Sequence, residues 1–183
     1  MKFHPEKLYH VYNRGNNSQF IFYSSENYFF FLKKMRILLI PNVKMLAYCL
    51  MPNHFHWLIW VKPVEKTCLN KNIGTLLSSY TQAINKRYGR TGSLFQQKTK
   101  AIELANRNYA QTCFHYIHQN PIRANLVKNM EDWPFSSYID YANLRDGSLI
   151  SKEFTHKYLE ITEKQFIQES QQAIDPQNIK HIY

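Results

Sequence analysis

Residues 54–61 read HFHWLIWV, and a strand with this sequence is apolar on both sides. Side chains at i and i+2 share a face of a strand. His54, His56, Leu58 and Trp60 therefore line one side, and Phe55, Trp57, Ile59 and Val61 the other. Such a strand belongs in the middle of a sheet with both faces covered. It also places two imidazoles side by side, about 7 Å apart along the strand. Two buried histidines can be hydrogen-bonded packing residues, or they can converge on a divalent metal. Two ligands are too few to define a metal site, so the second reading needs a third donor.

Carboxylates hardly compete for that role. Before Glu131 the chain has only Glu6, Glu26, Glu65 and Glu103, well scattered, and no Asp. This argues against a two-metal nuclease, whose ions rest on clustered Asp and Glu, and against a hydrolase with paired acid and base carboxylates. Charge points instead to an anionic partner. The net charge is +10, and residues 1–140 hold 18 of the 23 Lys and Arg but only 7 of the 13 Asp and Glu. Aromatic residues make up 15%. Cations displace counterions from phosphates and aromatic rings stack on unpaired bases, so nucleic acid fits this balance, against the plainer alternative of a solvated basic surface.

The rest of the pattern sets a fold. LYHVYNRG (8–15) alternates and ends at a glycine. Residues 25–40 carry a wide apolar stripe at helical spacing, capped by Ser24 or Ser25 and stopped by Pro41. VKMLAYCL (43–50) is a strand, MPN a tight turn, and 54–61 its partner. A second helix covers 73–88 and stops at Gly89. KTKAIEL (98–104) is a fourth strand. A third helix starts from Asn106 or Asn108 and ends at Pro121. WPFSSYIDYAN (133–143) is expected to be a short helix begun by Pro134. The order β-α-β-β-α-β-α specifies an α+β, ferredoxin-like split βαβ sandwich, an antiparallel sheet with helices on one face. Residues 1–143 form this domain. Residues 144–183 are expected to be a peripheral, partly helical C-terminal extension. Three cysteines without a CxxC, no apolar run of about 18–20 residues to span a membrane and no signal-like N-terminus predict a reduced cytoplasmic protein with no membrane partner.

The third helix carries the second informative segment, CFHYIHQNPIRANLV (113–127). Tyr116 and Asn120 are four apart and so lie on one helical face, while His115 and His118 lie on others. A phenol is a nucleophile in principle and an amide oxygen a neutral metal ligand, yet most of 13 tyrosines pack rather than react. MPNHFHWLI, then YIHQNPIRANLV and DWPFSSY, resemble the single-tyrosine HUH transposases, and within them the REP-associated tyrosine transposases. YHVYNRGNN (9–17), IFYSSENYFFFL (21–32) and SSYTQAINKRYGRTGSLFQQK (78–98) fit the same pattern, so the resemblance covers residues 8–141. GSLFQQKTK (92–100) departs from the family's GHLWQGRFK at Ser93, Gln97, Lys98 and Thr99.

The resemblance implies a Mg²⁺ or Mn²⁺ held by His54, His56 and Asn120, with Tyr116 as nucleophile. It implies a partner, single-stranded DNA bearing REP-like hairpins, and action as a homodimer or a monomer. It implies a strand transferase that forms a 5′-phosphotyrosine; the alternatives are a non-catalytic single-strand binding module or a domesticated, inactive relative. Basic residues near the matching blocks, Arg14, Lys86, Arg87, Arg90, Lys98, Lys100 and Arg123, become candidate DNA contacts. Asn16 either reads base edges with its neighbours or builds a turn.

Overall fold

A computed structural model describes residues 2–63, 68–172, 174, 175 and 179. The elements run β1 (Leu8–Arg14), α1 (Ser25–Leu38), β2 (Val43–Met51), β3 (His54–Val61), α2 (Leu69–Tyr88), β4 (Lys100–Glu103) and α3 (Arg107–Arg123). Three short helices follow: α4 (Tyr138–Tyr141), α5 (Lys152–Leu159) and α6 (Glu163–Ser170). The strands form one antiparallel sheet in the order β2-β3-β1-β4. This is the α+β split βαβ topology that the sequence pattern specifies, with β3 and β1 in the middle. Helix boundaries follow local chemistry. Gly89 adopts the left-handed conformation (φ 62°) that ends α2, and the Asn106 side chain accepts a hydrogen bond from the Tyr109 backbone N–H to cap α3.

Both faces of the sheet are covered. On one, Tyr28, Phe31 and Met35 of α1 and Ile73, Leu76 and Tyr80 of α2 pack on Val11, Phe55, Trp57 and Ile59. On the other, Cys113, Phe114, Tyr116 and Ile117 of α3, with Leu159 and Phe166, pack on Leu8, Leu46, Cys49 and Leu58. The expectation of helices on one face therefore holds for α1 and α2 and is corrected for α3. The reason is the strand itself: Leu58 and Trp60 leave water only if a second layer exists. A β-bulge at Leu46 shifts the alternation of β2, so that the adjacent Leu46 and Ala47 both face the second layer. The pairing slips between Met45 and Ala47, so Val43, Met45, Tyr48 and Leu50 enter the first core while Leu46, Ala47, Cys49 and Met51 enter the second.

Three further expectations are corrected. Pro121 does not end α3 but lies inside it, and the helix runs to Arg123; packing of this last turn outweighs the local penalty of proline. Residues 133–137 are not helical. Phe135 and Ser137 exchange backbone hydrogen bonds with Leu50 and Tyr48, so this segment runs along the outer edge of β2, and the helix there is only α4. The extension is not peripheral, since Leu159 and Phe166 are fully buried in the second core. Part of that extension, residues 173, 176–178 and 180–183, lies outside the described residues, as does Glu65. No helix among the described residues is long and apolar enough to cross a membrane. Cys49, Cys68 and Cys113 are all free thiols.

Candidate active site

Register decides which side chains meet on the α3 side of the sheet. His54 pairs with Arg14 on one side and Met51 on the other, and His56 pairs with Tyr12 and Cys49, Tyr12 pairing in turn with Lys100. Directly paired residues share a face, so His54 and His56 lie beside Tyr12 and Arg14 of the neighbouring strand. The two histidine rings stand perpendicular, 5.1 Å apart. His54 is held through Nδ1, 2.6 Å from the Asn53 side-chain oxygen. The Asn53 amide nitrogen in turn donates to the Ser18 carbonyl. His56 is held through Nδ1, 2.9 Å from Nε2 of His10.

The turn that launches β3 is tied down as well. Ile21 and Phe22 donate to the Pro52 carbonyl, and Gly15 donates to that of Asn53. Gly15 sits so close to the chain that a Cβ would lie 2.2 Å from the Gln19 carbonyl oxygen. Any larger residue there would push on the segment that fixes Asn53.

Helix α3 supplies the rest. Its sheet-facing side carries Tyr116 and Asn120; the Tyr116 ring meets the His56 ring edge-on at 5.7 Å. The Asn120 amide nitrogen donates to the Tyr116 carbonyl at 2.9 Å, and its side chain lies close enough to His54 to raise that ring's proton affinity. The opposite side is clamped by the C-terminal segment. His115 reaches Ser170 (2.9 Å) and Glu169 (3.1 Å), and Gln119 donates to the Ser170 and Gln172 carbonyls. His118 bonds the Ser137 hydroxyl at 2.7 Å. Tyr116 is 0% exposed, with the Arg123 guanidinium 5.7 Å from its ring centroid. A phosphodiester therefore reaches this hydroxyl only when the covering side chains shift.

Burial strips the histidines of their basicity. Loss of hydration, then the nearby Arg14 charge, lowers His54 to about 4, against the opposing pull of the Asn120 side chain. Burial, then the neighbouring His10, His54 and Arg14, holds His56 well below the usual imidazole range. Both rings are neutral at pH 7, the form that ligates metals.

The donor set fits a divalent ion. With Nδ1 of His54 donating to a carbonyl-type oxygen, Nε2 carries a lone pair. With the Asn120 nitrogen used on Tyr116, its oxygen is what faces that ring. Two acceptors turned toward one another need a proton or a cation between them. Among the described residues, no group of three or more His, Cys, Asp or Glu is arranged to hold a metal. An ion here would rest on two imidazoles and an amide, a neutral set suited to an anionic substrate.

The candidate DNA contacts separate into groups. Arg14 and Arg123 are exposed beside the site. Lys98 and Lys100 line a groove of about 1050 Å³ between α2 and residues 92–101. Lys86 is exposed near the end of α2, and Asn16 donates to the Ser93 carbonyl in a turn. Arg87 pairs with Glu26, and Arg90 bonds Asn85 and Gln19, so both have structural work on the α1/α2 side. Sequence reasoning missed His10 and Asn53. The signal for His10 was its i, i+2 spacing with Tyr12 on an alternating strand, which means little until β1 is registered against β3.

A family model described as IS200-like transposase matches residues 7–120, a span that contains His10, His54, His56, Tyr116 and Asn120. Among solved structures, a REP-associated tyrosine transposase bound to a REP hairpin is similar over 83% of this chain and 95% of that one. The TM-score is 0.66 at 14% identity, which is a likeness of fold. No curated protein matches the chain.

Proposed function

The chain belongs to the IS200-like transposase family, and from that premise we propose that it is a metal-dependent nuclease and strand transferase acting on single-stranded DNA through a 5′-phosphotyrosine. The observation that carries this reading is the meeting of His54, His56, Tyr116 and Asn120, from a strand and a helix far apart in sequence, on one side of the sheet. His54, His56 and Asn120 would hold Mg²⁺ or Mn²⁺, which when bound supplies Lewis-acid stabilisation at the scissile phosphate.

The Tyr116 oxygen attacks phosphorus and gives up its proton to solvent. The bond to the 3′ oxygen breaks, and that oxygen takes up a proton to leave a free 3′-hydroxyl. The other fragment stays on Tyr116 as a phosphotyrosine. Because a phosphodiester is exchanged for a phosphodiester, another 3′-hydroxyl reverses the step and joins new ends without a nucleotide cofactor. Arg14 and Arg123 flank the site and would hold phosphates of the strand. The hairpin bound by the structural neighbour makes a hairpin-bearing single strand the substrate to try first. We take the working unit to be a homodimer or a monomer, and residues 1–143 to be the catalytic domain.

A second reading, a non-catalytic module that binds single strands, draws on the complete burial of Tyr116. Incubation of the protein with a 3′-labelled hairpin oligonucleotide and Mn²⁺, followed by a denaturing gel, separates the two. The nuclease gives a covalent adduct that Tyr116→Phe abolishes. Retained binding with no adduct on any hairpin oligonucleotide supports the module.

A further inference from the structure

We propose that His10 is a positioning residue that selects the tautomer of His56 and so turns its Nε2 lone pair toward the metal. The inference rests on the ligand set proposed above. His10 is 0% exposed and lies on β1 opposite Leu58 and Ile102. Its Nε2 is 2.9 Å from Nδ1 of His56, and the two rings are inclined by only 16°.

A hydrogen bond between two neutral imidazoles holds one proton, and its direction has consequences. When His56 Nδ1–H donates to His10, Nε2 of His56 keeps its lone pair and can ligate. When His10 Nε2–H donates instead, the His56 proton sits on Nε2 and blocks that position. His54 faces no such choice, because its partner on Nδ1 is an amide oxygen that only accepts. The two ligand histidines thus differ in their support. One is fixed in sense, and the other depends on a second imidazole that can hold the proton on either nitrogen. Metal loading draws the pair into the first arrangement, with the His10 proton on Nδ1. Loss of such an outer partner weakens metal affinity by about 10–100-fold.

His10 also stacks on Tyr12, with ring centroids 4.9 Å apart. A role in packing alone would survive replacement by another flat ring. The test is Mn²⁺ titration by calorimetry of wild type, His10→Phe, His10→Gln and His56→Ala. His10→Phe keeps a ring and removes the acceptor, and it should bind Mn²⁺ about 10–100-fold more weakly. His10→Gln restores an acceptor and should recover most of the loss. Wild-type affinity in His10→Phe, with His56→Ala weakened, overturns the inference and leaves the ligand set standing. Wild-type affinity in His56→Ala overturns the ligand set itself. A measurement free of mutation comes from ¹⁵N NMR of the Mg²⁺-loaded wild type, where His56 should carry its proton on Nδ1 and His10 on its own Nδ1. A proton on His10 Nε2 in that state sinks the proposal.

Discussion

The same strands present two very different faces. Toward α1 and α2 the sheet offers Phe55, Trp57, Ile59 and Val11, and the helices answer with Tyr28, Phe31 and Tyr80, the Phe31 ring lying 5.7 Å from that of Phe55. Toward α3 it offers His10, His54, His56 and Arg14, and the helix answers with Tyr116 and Asn120. Every buried histidine of the described residues lies on this second side. Apolar packing on one side can anchor a strand whose other side carries desolvated polar groups, which by themselves add little stability. The first face is packed with apolar and aromatic side chains, and the second combines an apolar core with the polar groups that make chemistry possible.

That division can be broken most forcefully at Trp57, which is 0% exposed. Trp57→Ala should cost about 3–5 kcal/mol, read as a fall in the urea midpoint. His54→Ala, at a half-buried position on the other face, should cost only about 1 kcal/mol. Equal losses would mean that the two faces are not divided as described.

Acid probes the second face directly. Burial holds the proton affinities of His54, His56 and His118 below the unfolded value, His54 at about 4. Stability is therefore complete above the unfolded pKa near 6.5. Below it the unfolded chain takes up protons that the native fold refuses. Each such histidine removes about 1.4 kcal/mol per pH unit until its native pKa is passed. Urea midpoints of the metal-free protein should fall steadily from pH 7 to pH 4.5, and a flat profile would show the rings to be solvated.

The smallest effect separates cations rather than cores. Arg123→Ala, beside Tyr116, should lower the salt dependence of single-strand binding by about 0.7 in the log–log slope, one phosphate contact. Arg87→Ala, already paired with Glu26 on the first side, should leave that slope unchanged.

The first face was readable in the sequence because alternation in 54–61 and helical spacing in 25–40 and 73–88 are local patterns. So was the pairing of Tyr116 with Asn120, which needs only the helical repeat. The covering of the second face was not. Leu159 and Phe166 are isolated apolar residues in a polar tail, and nothing local says that they meet α3. WPFSSY reads as the start of a helix, but the exposed edge of β2 takes its backbone instead. His10 stayed hidden for the same reason: its partner is set by strand register, which depends on contacts distant in sequence.

The order of the strands has a consequence during synthesis. β1 is made first yet lies between β3 and β4, so it waits for both. Once β3 has been made His56 can settle against His10, while the tyrosine is still to be added. Residues 169–172, which hold the far side of α3, come later again. Under the proposed chemistry Tyr116 and the third ligand Asn120 arrive together on α3, so a growing chain without that helix can neither complete the ligand set nor cut. Competence to break a strand therefore waits for α3 and for the later segment that clamps it, an order enforced by the chain alone.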